Sequence, residues 1–196
     1  VAQGSGRQIV ALVKAGITAR RIINQKGIEN GIRLSTAIGG STNVALHIPA
    51  IGYEADCEIS MDLFEKLCRS TPHIAKMNPA AAPNVPDFHQ AGGVSAVMRE
   101  LLPILHGDAL TVTGKTIAEN LAAAAAPNRA IIKTMEDPWS KGGGLAVLHG
   151  NLAPNTAVTK PAAIQPDMQT FTGKAQCFDS EEAANEAILQ DKVIAD

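Results

Sequence analysis

The stretch Gly39-Gly40-Ser41-Thr42-Asn43-Val44 stops one helical pattern and opens the next, and the rest of the fold can be read outward from it. Upstream, Ile28 and Ile32 share one face of a helix that Asn24 can cap and Gly39-Gly40 can end. Downstream, residues 44–55 continue as a third helix, and Pro49 inside it predicts a kink. The first N–H groups of a helix lack intrahelical partners and carry the positive end of its dipole. A carboxylate or phosphate can bind there, and glycines let it approach the backbone. Ser and Thr are also ordinary N-caps, so the local chemistry leaves a ligand site and a plain cap both open. His47 follows Asn43 by one turn and faces the same helix end, so the candidate substrate-binding residues are Gly40, Ser41, Thr42, Asn43 and His47.

Further out, Ile9, Leu12 and Val13 suit a helix over 7–13 that Gly16 ends. Ser60 can cap a helix finishing near Arg69. Pro79, Pro83 and Pro86 mark residues 78–87 as a loop or flap. Val94, Val97, Met98, Leu101 and Leu102 then form the clearest amphipathic helix, and Ile117, Leu121 and five alanines predict another over 116–126, stopped by Pro127. Beyond this point the pattern changes. Residues 145–148 and 157–159 read as strands joined by Gly150-Asn151 and Pro154-Asn155 turns, and 171–178 as a further strand. Asp179 with Glu182 resembles a capping box opening a helix through Leu189, and Lys192-Val193-Ile194 resembles a strand.

Composition narrows the function. A chain of 196 residues with 45% hydrophobic residues can build a sizeable core. Lys and Arg total 17 against 19 Asp and Glu, and the net charge of -2 gives no basic field for nucleic acid and no polybasic membrane patch. Aromatic residues at 3% leave few stacking platforms, which favours a small-molecule partner. No apolar run is long enough for a membrane span, and the opening residues lack signal-peptide regions, so a cytoplasmic location is expected. The start at Val1 without an initiator Met suggests a fragment.

Other motifs take bland readings. Gly107 precedes Gly114-Lys115-Thr116 by too many residues for a phosphate loop, so Thr113 or Thr116 is expected to cap a helix there. Cys57, Cys68 and Cys177 have no metal-ligand spacing and are expected to be buried thiols. His47, His73, His89, His106 and His149 stand singly; His89, beside Gly92-Gly93, is a second and weaker site candidate after His47. Asp56 and Asp108 are single acids, expected to be solvated or capping.

Several segments in order resemble the dihydroxy-acid dehydratase and 6-phosphogluconate dehydratase family. They are GGSTNVALHIPAI at Gly39–Ile51, TPHIAKMNP at Thr71–Pro79, FHQAGGVSAVMRELL at Phe88–Leu102 and LHGDALTVTGKTIAENL at Leu105–Leu121. The match resumes with GGLAVLHGNLAPNTAVTK at Gly143–Lys160 and FTGKAQCFDSEEAANEAI at Phe171–Ile188. The HGD and TVTGKT strings are closer to the dihydroxy-acid branch, while sugar-acid dehydratases share much of the pattern.

The resemblance implies an α/β fold: residues 1–128 as the helix-rich end of an N-terminal domain and 129–196 as the start of a β-barrel-like C-terminal domain. It implies a hydro-lyase acting on 2,3-dihydroxy acids, with a sugar-acid dehydratase or a non-catalytic anion-binding domain on the same scaffold as alternatives. The intact enzyme is then expected to carry an iron-sulfur cluster, whose open iron acts as Lewis acid on the C3 hydroxyl, and Mg2+, and to form a homodimer. The family's cluster cysteines, magnesium carboxylates and catalytic serine sit in motifs that do not occur in this chain. No catalytic or metal residue is therefore carried over, and the isolated fragment is expected to be inactive.

Overall fold

The computed structural model describes residues 2–190, so Lys192-Val193-Ile194 lies outside the described residues. The chain divides into two compact units after Ala163. The first unit holds α1 (Ala2–Lys14), α2 (Ala19–Ile22), α3 (Gln25–Ala37), α4 (Val44–Glu54), α5 (Met61–Arg69), α6 (Val85–Gln90), α7 (Gly93–Leu101) and α8 (Ile117–Leu121), with β1 (Ala146–Leu148) and β2 (Ala157–Thr159). The strands pair antiparallel with Val147 opposite Val158, so the architecture is helix-rich with a small sheet, consistent with α/β. Among the described residues no helix is long and apolar enough to cross a membrane.

The central element is α3. Asn24 caps it, its side chain accepting from the Gly27 N–H at 3.1 Å. One face carries Ile28 and Ile32 into a cluster with Phe64, Leu67, Leu145 and Val147, beneath α5 and β1. The end of the helix places Ala37 in a second cluster with Ile74, Phe88, Val97, Leu101 and Ile132. Burial of these aliphatic and aromatic side chains, at about 1.5–3 kcal/mol each, is the main force holding α3 between the two layers. Asn30, 3% exposed, exchanges two hydrogen bonds with the His106 backbone and ties the loop before α8 to the same helix.

Several boundaries follow local chemistry. Ser60 accepts from Leu63 N–H and starts α5, which ends at Arg69. Thr116 and Glu119 form a capping box, so Gly114-Lys115-Thr116 is a turn and helix start. Other expectations fail for stated reasons. Residues 78–87 are not all loop, because the Asn84 and Asp87 capping box with Pro86 in the first turn opens α6. α8 stops at Leu121 despite the alanines that follow: the chain turns so that Ala124 can accept from Arg99, and tertiary contacts override propensity. In α7 the buried residues are Gly93, Ala96, Val97 and Leu101, while Val94 is exposed. Gly92, at φ +113, leaves no room for a Cβ, which would sit 2.6 Å from that of Ala96.

The second unit, described to Gln190, contains α9 (Glu181–Leu189). Its cap is Ser180, accepting from Ala183 N–H, rather than Asp179 with Glu182. The run 171–178 forms no strand; every residue in it is exposed, and no described segment pairs with it. The cysteines also divide: Cys68 is buried against Thr36, Cys57 is half-buried and Cys177 is exposed. Asp56 and Asp108 pair at the surface with Arg20 and Lys26.

Candidate functional site

The junction between α3 and α4 is built by backbone geometry. The Gly40 N–H donates to Ser35 O at 2.8 Å and the Gly39 N–H to Thr36 O at 3.3 Å, the two bonds of a Schellman turn. Gly39 takes φ +62, which an L side chain resists. The chain then turns directly into α4. Ser41 Oγ accepts from the Asn43 N–H at 3.2 Å, and Val44 and Ala45 donate to the carbonyls of Ser41 and Thr42. Among the described residues the N–H groups of Ser41 and Thr42 have no protein partner, so the turn leading into α4 presents two open donors.

These donors border a cavity of about 430 Å³ whose lining includes Gly39, Gly40, Ser41, Thr42, His73, Lys76 and Lys160. Of the five residues singled out by sequence, Gly40, Ser41 and Thr42 line it, whereas Asn43 and His47 are exposed and stand outside the lining. His89 is exposed at the end of α6 and also stands outside. Among the described residues no Asp or Glu lines the cavity.

Sequence reasoning missed His73, Lys76 and Lys160. An extended segment brings the first two into place. The N–H groups of Ile74 and Ala75 donate to Ala37 O, the His73 N–H to Ser140 O, and the N–H groups of Lys133 and Trp139 to Ile74 O and His73 O. Pinned on both sides, His73 is 2% exposed, and its Nε2 has no hydrogen-bond partner among the described residues. That nitrogen faces Gly39, where a Cβ would stand 2.8 Å away. Burial, then the nearby Lys76 ammonium, push the His73 pKa down to about 4, with a backbone hydrogen bond to Ala75 opposing and Lys160 adding to the fall. His73 is thus a neutral imidazole at pH 7. Lys76 Nζ lies 5.2 Å from the centroid of the Trp139 ring, with Lys133 Nζ at 5.1 Å.

A second glycine pair closes the floor behind the turn. The Gly144 N–H donates to Thr36 O at 2.9 Å, and a Cβ on Gly144 would lie 2.5 Å from the Gly39 Cα. A Cβ on Gly143 would meet the Thr36 methyl at 1.9 Å. No signal in the sequence around His73 marks it as a cavity residue; Gly143-Gly144 marks a close approach without naming its partner.

The Gly39–Thr42 turn, with two backbone N–H groups lacking protein partners, and two lysines line one cavity, which suits a small anion rather than a cation. Residues 1–120 match the family model described as dihydroxy-acid/6-phosphogluconate dehydratase N-terminal, and 130–196 match its C-terminal counterpart. The chain belongs to this dehydratase family. It is 44% identical over 195 residues to the dihydroxy-acid dehydratase of Caldanaerobacter subterraneus subsp. tengcongensis, which covers 98% of this chain and 35% of that protein. The corresponding protein of Methanosarcina barkeri is 45% identical over 197 residues, 98% of this chain and 36% of its own length. That of Methanococcoides burtonii is 43% identical over 194 residues, 97% of this chain and 35% of its own. The chain therefore spans about a third of the length of these dehydratases.

Proposed function

We propose that this chain is part of a hydro-lyase that dehydrates 2,3-dihydroxy carboxylic acids to 2-oxo acids, a step of valine and isoleucine synthesis in the intact protein. The observation that carries the reading is 44% identity to a dihydroxy-acid dehydratase across 98% of this chain. The reaction removes the C2 proton and the C3 hydroxyl as water, and the enol left behind becomes a 2-oxo acid. In this reading Gly40, Ser41 and Thr42 hold the carboxylate end of the substrate, and Asn43 and His47 frame the same helix start. Neutral His73 supports the turn from behind without adding charge of its own.

The intact enzyme is proposed to carry an iron-sulfur cluster and Mg2+. This chain's donors do not fit either group. Cys57, Cys68 and Cys177 are dispersed, burial pushes the Cys68 thiol up and away from thiolate, and no three candidate ligands converge among the described residues. The ligands are assigned to segments outside this chain. Residues 1–128 are read as the end of an α/β domain and 129–196 as the start of a β-barrel-like domain. The intact protein is read as a cytoplasmic homodimer without nucleic-acid or membrane partners.

The family description includes 6-phosphogluconate dehydratase, which keeps a sugar-acid substrate as the second reading. The test is 2-oxo acid formation by the intact enzyme from 2,3-dihydroxyisovalerate and, in parallel, from sugar acids. Turnover of the first supports the proposal, turnover of sugar acids alone supports the second reading, and turnover of neither returns the chain to a non-catalytic anion-binding role.

A further inference from the structure

We infer that the cavity at the start of α4 is an oxyanion subsite in which Lys76 and Lys160 supply the charge and the N–H groups of Ser41 and Thr42 supply directed hydrogen bonds. Its occupant is the carboxylate or phosphate group of a small polyhydroxy acid. The identity of that acid rests on the dehydratase reading; the subsite itself rests on four observations.

Among the described residues the cavity has no carboxylate in its lining. Among the described residues no ion pair uses Lys76 or Lys160, although Lys26 and Lys133 both have acidic partners. Two half-buried lysines line the same cavity with no acidic residue beside them, and an entering anion would offset their like charge. Lys76 is held over the Trp139 ring, which limits its freedom to swing into solvent. The two open N–H groups stand in the turn just before Asn43, the N-cap of the eleven-residue α4, whose N-terminal dipole adds to the lysine field.

His73 Nε2 is buried against the Gly39 turn and has no partner among the described residues. With the neutral ring donating its other N–H to the Ala75 backbone, this nitrogen is a lone-pair acceptor and adds nothing to the binding of an oxyanion. The plain alternative, that Ser41 only caps a helix, explains the Ser41 Oγ contact with Asn43 but not the two lysines that line the same cavity.

The test uses the chain as given and its single tryptophan, which reports on Lys76 through their contact. Emission is titrated with inorganic phosphate and, separately, with glycerate as the simplest 2,3-dihydroxy carboxylate. Glycerol and ionic-strength-matched potassium chloride serve as blanks, and calorimetry repeats each titration without relying on the ring. At least one anion is expected to bind saturably, the phosphate arm identifying a phosphate site and the glycerate arm a carboxylate site. Lys160→Met, which leaves the Lys76 and Lys133 contacts with the ring in place, is expected to weaken binding about tenfold, and Lys160→Arg to restore most of it. No saturable binding beyond the blanks overturns the inference, as does Lys160→Met binding within about twofold of the parent. If the intact enzyme dehydrates no acid while Lys160-dependent binding persists, the dehydratase reading falls and the subsite stands. If the enzyme turns over and neither anion binds, the subsite falls alone.

Discussion

Acidification should destabilise this chain through one residue, His73. Its ordinary pKa of 6.5 falls to about 4 in the fold, so between those values the unfolded chain binds a proton that the folded chain refuses. Stability therefore rises with pH through the window: the contribution is complete above 6.5 and is lost progressively as pH falls toward 4. At about 1.36 kcal/mol per pH unit, the whole step is worth about 3 kcal/mol, a large fraction of the stability of a domain. Carboxyls such as Asp108 and Glu119, held low by hydrogen bonds from Lys26 and Thr116, lose their contribution only at and below the ordinary carboxylate range, overlapping the lower edge of the window. Subtracting a His73→Gln variant separates the two effects. Urea midpoints measured from pH 7.5 down to 4 should fall more steeply in the parent than in His73→Gln, and the His73 ring signals should titrate near 4 by NMR. Parallel stability curves, or a ring titrating near 6.5, would refute the burial argument.

Two further perturbations probe the same scaffold. Gly39→Ala forces a side chain into φ +62 and drives its Cβ to within 2.8 Å of His73 Nε2, so a loss of at least 1–2 kcal/mol is expected, roughly 2–8 °C in Tm by calorimetry. Gly40→Ala, without positive φ, should lose less. Asn30→Ala removes both bonds to the His106 backbone from a site that is 3% exposed, and about 1–3 kcal/mol should disappear from the urea unfolding free energy. Hydrogen exchange at the His106 amide should accelerate with it; an unchanged rate would mean that the clamp is redundant.

Much of the helical framework was legible, because capping is local chemistry: Asn24, Ser60 and Thr116 each announce a helix within three residues. The same signal was present and overlooked at Asn84 and Asp87, where three prolines suggested a loop. The alanine run after Leu121 and the run 171–178 misled for a different reason. Propensity describes a segment in isolation, and both outcomes depend on what the segment can pack against. The candidate site was half legible. Gly40, Ser41 and Thr42 are contiguous, and a helix start declares itself. His73, Lys76 and Lys160 join them only through backbone bonds from Ala37, Ser140 and the strands, and no local pattern encodes those meetings.

The packing of Gly143 and Gly144 beneath the Gly39 turn also constrains how relatives can be recombined. Those glycines and Lys160 fall in the span matched by the C-terminal family model, whereas the turn falls in the span matched by the N-terminal one. A chimera joined near residue 125 would ask one parent's turn to accept another parent's floor, where a methyl group at position 144 would come within 2.5 Å of the Gly39 Cα. Crossovers placed after Ala163, at the edge of the first compact unit, should keep turn, floor and lysine together.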